Sequence, residues 1–145
     1  MEKKLCTVRV LGIMEREGET EEIETVSKGI FDFSNNHTEI RYKEISEETG
    51  EETKVCISLS ESKAAGGLEC RMTKTGVIQS DMLFIPGYQT MCIYQTPFGN
   101  LEFEIDTECV ELDIEEERIQ CHLSYTLSSD RNMISSAEVY VTAML

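Results

Sequence analysis

The stretch Leu68-Glu69-Cys70-Arg71-Met72-Thr73-Lys74-Thr75-Gly76-Val77-Ile78-Gln79-Ser80-Asp81-Met82-Leu83-Phe84 decides the fold. Leu68, Cys70, Met72 and Lys74 alternate with Glu69, Arg71 and Thr73, a period of two that sends the two sets to opposite faces of a strand. Thr75-Gly76 interrupts the run, and alternation resumes with Ile78, Ser80, Met82 and Phe84 on the inner face. Two half-apolar strands joined by a short turn predict an antiparallel hairpin with one face on a core and one in water. Parallel α/β folds are excluded, because their central strands read as unbroken apolar runs.

The same pattern extends both ways from this hairpin, and no helix-period stretch intervenes. Upstream, Leu5 to Met14 is apolar on both faces, which suggests burial on two sides or a strand that bends between layers. An acidic turn surrounds Gly18. A second strand, about Ile23 to Phe33, ends at Ser34-Asn35-Asn36-His37, where an Asn pair suits a type I′ turn. Thr38 to Ile45 forms the third strand, and Glu47 to Glu52 an acidic hairpin tip. Val55, Ile57 and Leu59 share a face of the fourth, which leads to a small, flexible turn or bulge at Ala64-Ala65-Gly66-Gly67.

Downstream of the quoted hairpin, Thr90, Cys92, Tyr94 and Thr96 share a face until Pro97, which has no N–H for a ladder. Leu101, Phe103, Ile105 and Thr107 lie opposite Glu102, Glu104 and Asp106. A phase slip near Cys109 carries that segment on through Val110, Leu112 and Ile114. Ile119, Cys121, Leu123, Tyr125 and Leu127 follow on one face, and a last strand, about Ile134 to Ala143, is placed to pair with the first. About ten short strands with turn chemistry between them predict one all-β domain over residues 1–145, a closed antiparallel barrel.

Composition narrows the function classes. The 145 residues carry a formal net charge of -15 with a pI near 4.4. Nucleic-acid binding relies on Lys and Arg displacing counterions, so no nucleic-acid partner is expected. Anionic membrane surfaces are disfavoured for the same reason, and no stretch reaches a membrane-spanning length. The six cysteines stand singly at 6, 56, 70, 92, 109 and 121, without C-x-x-C or metal-ligand spacing. Free thiols at apolar strand positions, with no signal peptide, predict a reducing cytoplasm. No metal and no cofactor is expected.

Lys74-Thr75-Gly76, Met82-Leu83-Phe84, Tyr94-Gln95-Thr96-Pro97-Phe98-Gly99 and Thr107, with Tyr42-Lys43-Glu44 before and Tyr125 after, resemble the YwiB-like family of small bacterial proteins. The likeness covers nearly the whole chain in order and spacing. It implies a calycin-type, lipocalin-like β-barrel of unknown function, an architecture that elsewhere holds apolar ligands. One departure is Lys74, where the family pattern has Arg. A lysine offers an anion a point charge rather than a bidentate fork.

Placed on their strand faces, Tyr42, Glu44, Lys74, Tyr94, Thr96, Thr107 and Tyr125 all fall on the apolar, inward side. Several lie toward one end of their strands. The expected barrel is apolar through its middle and polar at one mouth, with Glu44 and Lys74 as a partly buried pair. Met72, Met82, Phe84, Phe103 and Leu123 would wall a cavity, and the polar set would hold the head group of a small apolar or amphipathic ligand. The structural alternative is that these polar groups satisfy one another and plug a filled barrel. Such a barrel would act through its acidic surface as a protein-interaction module.

No catalytic residue is assigned. His37 falls in a turn and His122 on an outer face. Cys121 and His122 point to opposite sides of one strand and make no nucleophile–base pair. A metal-dependent phosphohydrolase tunnel would need Glu22/Glu24 or Glu102/Glu104 to converge inside, and the alternation sends Glu102 and Glu104 to solvent.

Overall fold

The computed structural model describes residues 2–34, 36–46, 48–63, 66–130 and 132–145. Among these the chain forms ten strands: β1 (Glu2–Arg16), β2 (Glu19–Ser34), β3 (His37–Ile45), β4 (Glu52–Glu61), β5 (Leu68–Thr75), β6 (Gln79–Phe84), β7 (Gln89–Thr96), β8 (Gly99–Ile114), β9 (Arg118–Ser129) and β10 (Asn132–Met144). Each pairs antiparallel with its neighbours in sequence, and β1 pairs with β10 from Thr7↔Met144 to Glu15↔Ser136. The result is a closed up-and-down barrel without a free sheet edge.

Turn chemistry sets the hairpins. Glu17 (φ 51°) and Gly18 (φ 80°) join β1 to β2 with positive φ at both central positions, as a type I′ turn requires. Asn36 also has positive φ (63°), while Asn35 of the expected Asn pair lies outside the described residues. So do Glu47 of the acidic tip and Ala64-Ala65 of the expected flexible turn. The phase slip near Cys109 is a register shift between Thr107 and Cys109, a bulge that leaves Glu108 and Cys109 together opposite Ser124.

Alternation sorts the side chains as expected in the middle of the barrel. Ile40, Ile57, Leu59, Phe84, Ile105, Leu123 and Val141 are excluded from solvent. Each such side chain contributes about 1.5–3 kcal/mol by leaving water. Near the rims, parity is not enough. Leu101 and Ile78, expected inside, are about half exposed, because they sit at the ends of the strands beyond the packed layers. The apolar outer face of β1 is likewise not buried between layers: Leu5 is 83% exposed, since nothing packs outside the barrel there.

Gly29 marks a close approach. A Cβ on it would meet the Arg41 carbonyl oxygen at 2.5 Å and Val8 Cγ2 at 2.7 Å. The β6–β7 seam is the weakest ladder, paired only at Gln79↔Gln95 and Ser80↔Tyr94. Beyond those pairs the Thr90 hydroxyl donates to the Leu83 carbonyl at 2.5 Å.

Candidate functional site

One barrel end carries the turns β1–β2, β3–β4, β5–β6, β7–β8 and β9–β10, and most of the expected polar set gathers there. Val55 is the ladder neighbour of both Tyr42 and Lys74, and Ser80 of both Lys74 and Tyr94. That shared row brings side chains far apart in sequence to one level. Lys74 Nζ reaches Glu44 Oε1 at 3.5 Å, both side chains about one-third exposed (35% and 32%). Water therefore screens much of their attraction.

The phenols fill rather than line this end. Tyr125 packs on Phe84 with ring centroids 4.8 Å apart, and Tyr94 meets Phe103 edge-on at 5.1 Å. The Tyr94 hydroxyl lies 3.5 Å from Met82 Sδ. Burial pushes the Tyr42 hydroxyl well above its ordinary pKa, helped by the Glu44 charge. Tyr125 and Tyr94 are raised too, again by burial first. All three are neutral dipoles at physiological pH, suited to orienting a polar group and unsuited to acting as bases.

Thr96 has a local structural task. Its hydroxyl accepts from the Phe98 N–H at 3.2 Å and donates to the Gly99 carbonyl at 2.7 Å, closing the β7–β8 turn and leaving Phe98 wholly in solvent. Thr107 sits deeper, and its buried hydroxyl has no hydrogen-bond partner among the described residues. Met72, Met82, Phe84 and Leu123 are buried members of the continuous core, with Phe103 half-buried beside Tyr94.

Among the described residues, two adjoining clefts of about 360 and 270 Å³ open at the opposite mouth and share Phe33 and Ile114. Thr38, Leu59, Leu68 and Leu112 line the first, and Phe31, Ile119 and Leu145 the second, with Lys4, Glu115 and Glu116 along its margin. Leu59 and Thr38 are closed to solvent, whereas Phe33 and Ile114 are 43% and 51% exposed. The mouth thus runs from an apolar floor to an apolar rim. None of the twelve expected ligand or wall residues borders either cleft. Sequence reasoning put the mouth residues on the correct face but had no means of ranking the two ends.

A third hollow of about 410 Å³ lies against the outer wall of β2–β5, where Lys28, Arg41, Lys43 and Lys54 ring a floor that includes Ile30 and Cys56. Arg41 is held by Glu39, and Lys43 lies 3.7 Å from Glu52. This is a cationic island on an acidic protein. The acidic doublets, by contrast, stay outside: Glu24 pairs with Arg9 at 2.9 Å, and Glu102 and Glu104 alternate with inward Phe103 and Ile105.

A further grouping escaped the sequence reading. The β8 bulge turns Cys109 outward beside His122 of β9, where Glu111 joins them. The signal was present as the phase slip, but its partner stands thirteen positions later on another strand.

Comparison with known proteins agrees with this architecture. The family model described as a domain of unknown function, DUF1934, matches residues 8–141. The uncharacterized beta-barrel protein YwiB of Bacillus subtilis (strain 168) is 25% identical over 121 residues, spanning 83% of this chain and 80% of that protein. The crystal structure of the Bacillus subtilis ywiB protein superposes with a TM-score of 0.83 at 22% identity, covering 98% of this chain and 92% of the other. That likeness shows the same barrel.

Proposed function

The chain belongs to the DUF1934 family, and on that premise we propose that it is a non-enzymatic binding protein for a small, partly apolar molecule held in its barrel. The carrying observation is the pair of clefts at the β2–β3, β4–β5 and β8–β9 end, joined through Phe33 and Ile114. The larger, of about 360 Å³, falls in the range of small-molecule sites, and the smaller, of about 270 Å³, adjoins it. An apolar body seated on Leu59, Leu68 and Leu112 removes their neighbours' exposed surface from water, at about 25 cal/mol per Å². The polar end of the ligand stays at the rim near Lys4 and Glu61.

In this reading the Tyr42–Glu44–Lys74–Tyr94–Tyr125 end closes the barrel and fixes its shape, with Thr107 and Thr96 supporting it. Six free cysteines fit a reducing compartment such as the cytoplasm. The acidic surface favours an uncharged or zwitterionic head group over a strongly anionic one.

The test is titration of the purified protein with a neutral fluorescent apolar probe, compared across rim variants. Phe33→Ala and Ile114→Ala change exposed side chains and leave the core intact. Each is expected to weaken uptake about tenfold, equivalent to about 1.4 kcal/mol. Lys54→Glu, on the outer hollow, is expected to leave uptake unchanged. Uptake that ignores both rim variants and falls with Lys54→Glu would move the site to the outer wall; no uptake at all would leave a filled barrel.

A further inference from the structure

His122 is held on the outer wall with its two ring nitrogens facing different chemistry. Its imidazole stacks on Tyr140, centroids 4.4 Å apart and planes 6° from parallel. In that orientation Nδ1 lies 3.8 Å from Cys109 Sγ and 3.9 Å from Glu111 Oε2. The sulfur, nitrogen and carboxylate donor atoms all fall within 4.8 Å of one another. On the other side Nε2 is shut off from solvent and faces Glu138 Oε1 at 3.4 Å.

From this geometry we infer a binding site for a divalent cation of the zinc class, ligated by Cys109 Sγ, His122 Nδ1 and Glu111. Metal–donor bonds of about 2.0–2.3 Å in a tetrahedron put neighbouring donors roughly 3.3–3.8 Å apart. The Cys109–His122 separation of 3.8 Å already falls there, and the exposed Glu111 side chain would rotate inward to bring its oxygen from within 4.8 Å of the other donors into that range. Mixed sulfur, nitrogen and oxygen donors select a borderline-soft ion over calcium or magnesium, which take oxygen ligands. Three protein donors leave a fourth position for water.

Two features are hard to ascribe to surface chance. The bulge between Thr107 and Cys109 is what turns the thiol outward; without it Cys109 would follow the alternation into the barrel. Glu138 Oε1 stands 3.4 Å from the buried Nε2, which makes no hydrogen bond among the described residues. A small reorientation on metal binding would let Nε2–H donate to it, as the second N–H of metal-bound histidines characteristically does, and leave Nδ1 free for the metal. On binding, the Cys109 S–H bond breaks, the proton leaves to solvent, and the sulfur lone pair makes the new bond to the metal. No oxidation state changes. The site is separate from the barrel mouth and does not depend on what the barrel holds.

Cobalt(II) serves as the probe, because thiolate ligation gives a charge-transfer absorption that carboxylate-only binding lacks. Titration of the reduced, metal-free protein is expected to give this band at one equivalent, and zinc to abolish it. Cys109→Ser is expected to remove the band, and Glu138→Gln to weaken zinc binding about 10–100-fold while leaving the ligands in place. Zinc is expected to raise the thermal midpoint of the unaltered protein and not of Cys109→Ser. A wild-type protein with no thiolate band overturns the proposal, as does a band that survives in Cys109→Ser. Equal zinc affinity of Glu138→Gln and wild type would refute the role given to Glu138.

Discussion

Replacing Gly29 by Ala adds one methyl group where the barrel has no space for it. The new Cβ would lie 2.5 Å from the Arg41 carbonyl oxygen, 2.7 Å from Val8 Cγ2 and 3.3 Å from Tyr42 Cβ. Val8 can turn aside at some cost in packing. The Arg41 carbonyl is backbone beside the Gly29↔Tyr42 and Ile30↔Arg41 pairs, so it moves only if β2 and β3 separate. Overpacking of this kind costs about 1–3 kcal/mol. Alanine recovers about 0.5–1 kcal/mol because it loses less backbone entropy in a strand than glycine.

The net expectation is a loss centred on about 1 kcal/mol and no larger than about 2.5 kcal/mol, or about 2–4 °C in thermal midpoint at the centre for a chain of this size. Gly12, on the neighbouring strand, is the internal control, because a Cβ there would meet only the Ile23 carbonyl oxygen, at 3.9 Å. Gly12→Ala is expected to be neutral or to gain up to about 1 kcal/mol. The assay is reversible thermal or urea unfolding of both variants beside the wild type. A Gly29→Ala protein as stable as Gly12→Ala would refute the claim that the close approach of β2 to β3 constrains this position.

Thiol accessibility tests the inside–outside sorting: Cys56 and Cys109 are expected to react with a chromogenic disulfide reagent in the native protein, and Cys6, Cys70, Cys92 and Cys121 only after denaturation. Burial pushes Cys92 up to about 11, and a hydrogen bond with Cys121 together with burial holds Cys70 well above its ordinary range. Native reaction of more than two thiols would count against the packed interior. Acid stability isolates Glu39, whose partial burial raises its pKa but whose contacts with Arg41, Cys56 and His37 more than offset this, leaving it below the usual 4.5. A depressed folded pKa stabilises above the unfolded value and loses that contribution as pH falls, so the difference between wild type and Glu39→Gln should close below about pH 4.5. It should stay under about 1 kcal/mol, because Arg41 is solvent-exposed. A difference independent of pH would contradict this assignment.

Much of the barrel was legible in one dimension because strand alternation is a local property. The period of two in Leu68 to Lys74 and in Ile119 to Leu127 assigns each side chain to inside or outside without knowledge of any partner strand. The break in that period at Cys109 likewise announced the bulge, and the Gly18 turn its hairpin. Exposure along the barrel axis was not encoded in this way. Leu101 and Ile78 have the correct parity and still meet water, because parity names a face while depth depends on where each strand ends relative to its neighbours.

The sequence by itself therefore determined an all-β antiparallel chain, its inner and outer faces, and a cluster of inward polar residues toward one end. The expected Glu44–Lys74 pair forms, thirty positions apart, but only the tertiary structure decided that the tyrosine end is packed and that open clefts lie at the other rim between Phe33 and Ile114. It also decided that the outward turn of Cys109 delivers its sulfur to His122 on the next strand. The physical reason is the same in each case. Which face a residue takes is fixed by its own backbone, but which side chains share a level is fixed by the register of every ladder around a closed ring.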